Sequence, residues 1–407
     1  MKKIFTFTAI LFCNVAAVFA WPINIPHRIV EFGVSASGGF SNNTLKAEDF
    51  LKKEAVIDTA QIAEFVPDNG FQINMNVLAS SFFNLNLYDG FHLGFEAGVE
   101  ASGDFNLSKD IFDFLAKGVN VGQTISVDAK SDSDAFYYMN AAVGWNTGSF
   151  HFELVPTLVL PLVHAHAKKA KGYFVNEADG SIVSNVTLEM ELNTITSMQP
   201  FFDDNFSSKK LTDDMKQGWG FDIGFSIERP IFDMLQGMLY ARIPVVPGTL
   251  SYSTLMKSTM TYQVEGIKSM FESGTSSPEW KNEDKVYSEE KFKLSRPLRV
   301  GGQVAWRPFG RWISFDGMLG FGIKYPYTSE ARFYAEYNAS AYMSIAHVIG
   351  VKASTGYSDE VFKHSVGLIL NFRVFELNAG VSVQGGDFAN CFKGSGAGAF
   401  ATICVGW

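Results

Sequence analysis

The sequence is poor in cysteine and in long apolar runs. It has three cysteines in 407 residues. An extended segment separates Cys391 from Cys404, so we expect both thiols to be free unless the loop before the last strand folds back. The longest apolar run, Leu154 to Val163, contains Pro156 and Pro161 and is too short for a transmembrane helix. Neither a disulfide-stabilised scaffold nor a helical membrane protein is therefore expected.

Charged residues are also scarce. They make up 18% of the chain, whereas about 25% is typical of globular proteins. The net charge of -9 comes without a basic cluster, which excludes nucleic acid as a partner.

Candidate catalytic and metal-binding residues are equally scarce. No Gly-x-Ser-x-Gly nucleophile elbow falls on a strand-turn-helix pattern. His164 and His166 lie two residues apart on a predicted strand, so their side chains point the same way. Lysines follow them, however, and no Cys, Asp or Glu is close in sequence. We therefore expect no enzyme activity, no bound metal and no cofactor.

The first twenty residues match a secretory signal peptide. Lys2 and Lys3 precede an apolar stretch, and small residues precede Trp21 at the place where a signal peptidase cleaves. We expect residues 1–20 to be the cleaved signal and residues 21–407 to form a single domain. Such export agrees with a location in the bacterial outer membrane.

The chain does show alternation of apolar and polar residues with period two. Val366, Leu368 and Leu370 alternate with small or polar residues, and the same register resumes after a turn at Arg373-Val374. Similar strands of about ten residues recur along the chain. A large β-sandwich with one wet face would alternate in the same way.

Three features favour a membrane barrel over a sandwich. Aromatic residues make up 14% of the chain. Trp and Tyr gather near strand ends, as at Trp306 and Trp312, and the polar faces are rich in Gly, Asn and Ser with few Lys. We predict an all-β fold, a closed antiparallel transmembrane β-barrel of about 14 strands (range roughly 12–16), because bacterial barrels favour an even number. Its outer face would contact outer-membrane lipids.

The C-terminal strand carries a further signature. Phe400, Ile403, Val405 and Trp407 belong to an alternating segment that ends on an aromatic residue. This pattern resembles the terminal strand by which barrel-assembly machinery recognises outer-membrane substrates. We expect that machinery to be a partner.

Helices and long loops are expected between the strands. A helical pattern runs from Lys46 to Phe65, and a second helix begins after Ser108 and ends at Gly118. Both are interpreted as loop helices or as a plug in the lumen. Long loops are expected at Gln199–Gly218, Gly266–Glu290 and Gly385–Gly396, and short periplasmic turns at Tyr88–Gly90, Asn146–Gly148 and Arg373-Val374. Arg229-Pro230 is either a turn or part of a strand, and Lys257 to Gly266 either a strand or a loop.

Polar residues on the inner faces are the candidate functional residues. Those expected to face the lumen are Arg299, Gln303, Arg307, Asp316, Arg332, Glu336, Arg373 and Glu376. Both charge signs occur on neighbouring strands, which favours mutual pairing and a narrow or partly filled lumen. From Phe150 to Val163 both faces are apolar, which fits either lateral exit of a hydrophobic molecule or a strand packed against a plug.

Two patches resemble the long-chain fatty-acid transporter superfamily. Gly220-Phe221-Asp222-Ile223-Gly224-Phe225, followed by Glu228-Arg229-Pro230, is similar to a hairpin of those proteins, and the segment from Arg296 to Gly310 is similar to a later strand and turn. The resemblance implies a β-barrel with an N-terminal hatch and lateral release of hydrophobic substrates. The Asn-Pro-Ala hatch motif of that family does not occur, so we expect any plug at Lys46 to Phe65.

The function expected from these observations is uptake of small hydrophobic or amphipathic solutes across the outer membrane, or a narrow pore. The alternative is a barrel scaffold without transport, whose extracellular loops serve adhesion or envelope stability.

Overall fold

The computed structural model describes most of the chain after the predicted signal. The described residues are 28–44, 63–87, 90–117, 120–177, 181–202, 208–264, 279–310, 312–345, 348–358, 361–372 and 374–407. The signal segment, Arg373 and most of the predicted helix from Lys46 to Phe65 lie outside them. Among the residues described, no helix has the length and apolar character needed to cross a bilayer.

The described chain is dominated by strands. In chain order they are β1 (Val30–Asn42), β2 (Phe71–Asn86), β3 (His92–Leu107), β4 (Thr124–Thr147), β5 (Phe150–Asn176), β6 (Ile182–Thr194), β7 (Gly220–Phe232), β8 (Leu235–Val246), β9 (Gly248–Leu250), β10 (Tyr252–Val264), β11 (Glu279–Asn282), β12 (Val286–Ser288), β13 (Phe292–Leu294), β14 (Leu298–Trp306), β15 (Ile313–Lys324), β16 (Arg332–Ile345), β17 (Ile349–Ser358), β18 (Val361–Asn371), β19 (Phe375–Gly385) and β20 (Gly396–Gly406). The described residues also include the α-helices α1 (Lys109–Lys117), α2 (Gln199–Phe202) and α3 (Ser208–Met215) and a 3-10 helix at Asn390–Lys393. Residues 63–65, at the end of the predicted Lys46 to Phe65 helix, are helical as well.

Fourteen of these strands form a closed antiparallel barrel. The order around the wall is β1 to β5, β7, β8 and then β14 to β20. The last strand closes the ring, because β20 pairs with β19 on one side and with β1 on the other, where Val34 lies opposite Ile403. The predicted fold class is confirmed.

The outer surface of the barrel is apolar. On β1, Phe32 and Val34 point outward and are 52% and 55% exposed, whereas Ser37 and Ser41 point inward and are buried. Such a surface is unfavourable in water, whereas a lipid environment suits it because a closed barrel pairs its backbone groups internally. The fold is therefore that of an outer-membrane β-barrel.

Short turns join the strands at one end of the barrel, and most connections at the other end are longer, except for the two residues between β17 and β18. The short turns join β2 to β3, β4 to β5, β7 to β8, β14 to β15, β16 to β17 and β18 to β19, at the end where Val30 enters the wall and Gly406 leaves it. We call this the short-turn end and the opposite one the loop end. Arg229-Pro230 is part of β7 and not a turn. The register is irregular just beyond Pro230, where the missing N–H is tolerated.

Helix α1 is a loop helix at the loop end. It follows Ser108, as predicted. The ring of Phe112 packs edge-on against Phe71, with 5.8 Å between ring centroids. Phe71 belongs to the outward row of β2, together with the exposed Met75. Helix α1 therefore packs on the outside of the wall and is not part of a plug.

The wall branches halfway along β5. As far as Val159, β5 pairs with β7, and from Val163 onward it pairs with β6. Pro161 lies at the branch, opposite Phe136 of β4 and beside a register shift between β4 and β5, an irregularity at which a strand tolerates proline. Strand β6 in turn pairs with β10, and β10 with β11 and β12. These four strands and the ends of β4 and β5 form a sheet that projects beyond the barrel, which we call the protruding sheet.

The protruding sheet resolves several expectations about loops. Lys257 to Val264 belongs to strand β10. The Gly266–Glu290 loop contains β11 and β12, and the Gln199–Gly218 loop contains α2 and α3. The wall has no break at Pro156, because that residue lies opposite Ile223 within the β5–β7 pairing.

Candidate functional site in the mouth of the barrel

The root of one long β-hairpin lies in the mouth of the barrel at the loop end. One arm of this hairpin is β9 and β10, and the other is β11, β12 and β13. At the root, Leu250 lies opposite Phe292 and Gly248 opposite Leu294. The side chains of Leu294 and Arg296 contact the barrel wall, and that of Phe292, at the preceding alternate position, contacts His164 where β5 enters the protruding sheet. We call strands β9 and β13 together with Arg296 the plug.

Phe292 anchors the top of the plug on a hydrogen-bonded network of His164, Asp134 and Tyr325. Its ring stacks on that of His164, with 4.6 Å between centroids and 8° between planes. His164 Nδ1 lies 2.7 Å from Asp134 Oδ1, and the hydroxyl of Tyr325 donates to Asp134 Oδ2 at 2.8 Å. Tyr325 has a φ of 51°, a left-handed conformation that is unusual for a residue before proline. The burial of its ring and its hydroxyl contact hold it there.

A second histidine–aspartate pair lies two residues further along β5 and β4, on the side away from the barrel. His166 Nδ1 is 2.5 Å from Asp132 Oδ1, and Arg332 pairs with the other oxygen of Asp132. The two imidazole rings are parallel, with centroids 6.2 Å apart. Each histidine is therefore oriented by a carboxylate. Among the described residues no group of three metal-ligating side chains is found.

Leu294 anchors the middle of the plug in an apolar cluster. Leu294 is 2% exposed and Leu250 0%. The cluster that they join also contains Phe136, Val159, Leu160, Ile195 and Tyr325, so it draws on β4, β5 and the end of β15. Apolar side chains packed in this way exclude water from the contact between the plug and the wall.

Arg296 anchors the bottom of the plug by spanning the lumen. Its Nε lies 2.8 Å from Asp222 Oδ2 on β7 and 3.6 Å from Glu100 Oε1 on β3. Its guanidinium lies over the ring of Tyr138 on β4, 5.1 Å from the centroid. Asp222 is 2% exposed. Three strands therefore hold one side chain, and this places Arg296 inside the barrel.

Further charged and phenolic groups surround this contact. Arg242 donates from Nε and Nη2 to the carbonyl of Pro297, at 3.3 Å each. Arg299 donates from Nε to the hydroxyl of Tyr334 at 2.6 Å. Glu336 accepts from the hydroxyl of Tyr240 at 3.4 Å.

The structure separates the residues predicted to line the lumen. Arg299, Gln303 and Glu336 lie on inner faces beneath the plug, and Gln303 and Glu336 are buried. Asp316 accepts from Ser340 Oγ lower on the wall, Arg307 lies at the short-turn end, and Arg332 lies at the mouth. Glu376 lies 3.9 Å from Arg28 at the short-turn end, and Arg373 is outside the described residues.

Aromatic rings in the lumen lie along the wall. The ring of Phe82 covers Gly33 so closely that a Cβ there would overlap it. Tyr138 covers Gly98 in the same manner, with its ring 2.8 Å from where a Cβ would lie. The glycines of one strand thus let the rings of the next lie flat, so that these rings do not point toward the barrel axis.

Sequence reasoning missed the plug, Arg296 as an anchor and the partners of the histidines. A plain hairpin register from the turn after Thr147 would place Asp134 opposite Val163, on the wrong face for His164. The structure has a one-residue register shift between Ala135 and Phe136 that brings Asp134 opposite His164. Such a bulge inverts the faces of everything beyond it. The Asp-x-Asp and His-x-His patterns on neighbouring strands were the available signal.

Comparisons with known proteins give similarity at the level of fold. The structure is similar to those of toluene transporters, TodX from P. putida (8% identity, 94% of this chain and 91% of that chain, TM-score 0.46) and TbuX from Ralstonia pickettii (8%, 94% and 90%, 0.46). It is also similar to the translocator domain of the autotransporter NalP from Neisseria meningitidis (7%, 95% and 90%, 0.35).

A search among curated proteins gave no match. Residues 19–381, which include almost the whole barrel and the entire plug, match the model of a family described as "Family of unknown function (DUF5723)". The chain belongs to that family.

Proposed function

We propose that this protein is a gated channel of the outer membrane for the uptake of small hydrophobic or amphipathic solutes. The observation that carries the proposal is the apolar seal around Leu294 at the mouth. A hydrophobic solute can replace the contacts that Leu294 makes with its neighbours, whereas a hydrated ion would lose its water without compensation. Such a seal favours apolar solutes over ions.

The plug is short enough to open without unfolding the barrel. Strands β9 and β13 are each three residues long, whereas β6 and β10 in the protruding sheet are each 13 residues long. Separation of the root therefore breaks few backbone hydrogen bonds and leaves the outer arms in place. We infer that opening is a local parting of β9 from β13.

The test locks the root by a reversible cross-link. Leu250→Cys and Phe292→Cys together place two thiols at directly opposed positions of β9 and β13, a spacing that suits a disulfide. In a Gram-negative host that makes this variant, oxidation should slow uptake of N-phenyl-1-naphthylamine and a reductant should restore it. The single variant Leu250→Cys is the control, and its dye uptake should be the same under oxidising and reducing conditions. Equal uptake by the oxidised and reduced forms would contradict the proposal.

The protruding sheet favours a second candidate, a binding platform outside the membrane. One face carries charges in a cross-strand row, Lys169, Glu189 and Lys257. Lys257 Nζ also lies 2.9 Å from Glu283, and that hydrogen bond raises the pKa of Lys257. Lys169 is exposed and Glu189 and Lys257 are partly exposed, and such a row of charges suits a protein or glycan surface.

Shortening the hairpin distinguishes the two functions. Leu255 and Val286 are opposed, so the arms beyond them can be replaced by a two-residue turn that leaves the plug intact. A transport protein should keep its dye uptake after this deletion. A platform should instead lose adhesion of whole cells to immobilised matrix proteins, and Arg299→Gln in the lumen should leave adhesion unchanged.

A further inference from the structure

We propose that the pocket around the Arg296 guanidinium is a binding site for the cationic head of an amphipathic solute, an alkylguanidinium or alkylamine. In the closed state Arg296 occupies this pocket as an internal ligand. The proposal names the solute class for the gated channel and rests on that proposed function.

The pocket has the composition of a cation site. Asp222 supplies a buried carboxylate at 2.8 Å and Glu100 a second one at 3.6 Å. The ring of Tyr138 supplies an aromatic face at 5.1 Å from the guanidinium carbon. Carboxylates combined with an aromatic face are what recognises organic cations in proteins. None of these three groups belongs to the plug, so the pocket remains when the plug leaves.

Negative charge is left uncompensated when Arg296 leaves the pocket. Arg242, Arg296 and Arg299 interact electrostatically with the acidic groups Glu100, Asp222 and Glu336. A fourth carboxylate, Glu96, accepts from the hydroxyl of Tyr138 at 2.9 Å. Departure of Arg296 leaves two arginines against these four carboxylates, and a buried charge without a partner is unfavourable. A solute with one positive charge replaces the charge of Arg296, so it favours the open plug where a neutral or anionic solute does not.

The position of the pocket favours a ligand with an apolar tail behind its charged head. Leu294 and Phe292 precede Arg296 in the same row, so the pocket lies directly beneath the apolar cluster. A ligand with a positive head and an apolar tail would therefore match, in charge and polarity, the side chains of Arg296, Leu294 and Phe292 that it displaces.

The experiment empties the pocket and refills it with a small probe. Full-length protein with Arg296→Ala, folded in detergent, should bind ethylguanidinium at millimolar concentration in titration calorimetry, with a rise in its melting temperature. Ethylurea, a neutral analogue of similar shape, should bind at least tenfold more weakly. Adding Asp222→Asn to Arg296→Ala should remove the preference for the cation. Equal binding of the two probes, or a preference that survives Asp222→Asn, would overturn the assignment.

A second measurement uses the unaltered protein, so the outcome does not depend on whether the variants fold. Hexylguanidinium should shift the equilibrium toward the open plug and raise dye uptake several-fold at concentrations where hexylurea does not. If hexylguanidinium and hexylurea raise dye uptake equally, the pocket is not a cation site, although the protein is still a channel. If the emptied pocket selects ethylguanidinium but no condition gives dye uptake, the cation site is confirmed and the proposed transport function is wrong.

Discussion

Replacement of Leu294 by alanine tests the gate most directly. Leu294 is 2% exposed in the closed plug and packs in the apolar cluster of the mouth. In the open state its side chain leaves that cluster, so truncation weakens the closed state selectively. Leu→Ala changes at buried sites cost about 2–5 kcal/mol, the loss of transfer energy together with the cavity that remains.

This cost converts to a change in the gating equilibrium. Because about 1.4 kcal/mol corresponds to a factor of ten, Leu294→Ala should raise the ratio of open to closed plug by roughly 30- to 4,000-fold. The assay is the open probability of single channels in planar bilayers. Wild-type protein should conduct rarely, and Leu294→Ala should show frequent openings of the same unit size.

A matched control separates gating from general damage. Leu319 is 56% exposed and points toward lipid from β15, so Leu319→Ala should leave the open probability at the wild-type level. Heat-modifiable migration on gels should show both variants folded. An unchanged open probability for folded Leu294→Ala would refute the argument that the apolar cluster keeps the mouth closed.

Other substitutions test the wall and the upper anchor. Tyr325→Phe removes the hydroxyl that donates to the partly buried Asp134 and should destabilise the protein by about 1–3 kcal/mol, measured by urea unfolding in lipid vesicles. A stability equal to wild type would show that this hydroxyl contributes nothing. Val34→Arg puts a charge on the lipid face and should cost about 2–4 kcal/mol near the bilayer midplane, seen as a lower folding yield, and normal folding would argue that β1 faces water there. Gly33→Ala forces a Cβ into the ring of Phe82 and should cost about 1–3 kcal/mol, a loss that Phe82→Ala in the same chain should reduce.

The barrel could be predicted from local sequence patterns. Period-two alternation over strands such as Val361–Asn371 and Phe375–Gly385 is a local property, and the pairing of Val366 with Val381 across a short turn follows from it directly. The apolar outer face follows from the same alternation. For these reasons the fold class and the strand number could be predicted, as could the helix after Ser108.

The plug depends on tertiary contacts alone. β9 and β13 are only three residues long and are separated in sequence by most of the hairpin, so no local pattern marks them. Sequence reasoning expected any plug at Lys46 to Phe65, which lies largely outside the described residues. It did not consider the 248–296 hairpin, because a loop that folds back into a barrel carries no periodic signal.

The partners of Arg296, His164 and His166 depend on contacts between distant strands. Asp222 is 74 residues from Arg296 in sequence, and Asp134 reaches His164 only because a bulge shifts the register by one residue. Alternation predicts which face a side chain occupies but not which side chain meets it across the lumen. That choice depends on barrel closure, on bulges and on the path of a loop, which are set by the sum of long-range contacts and not by any short segment of the chain.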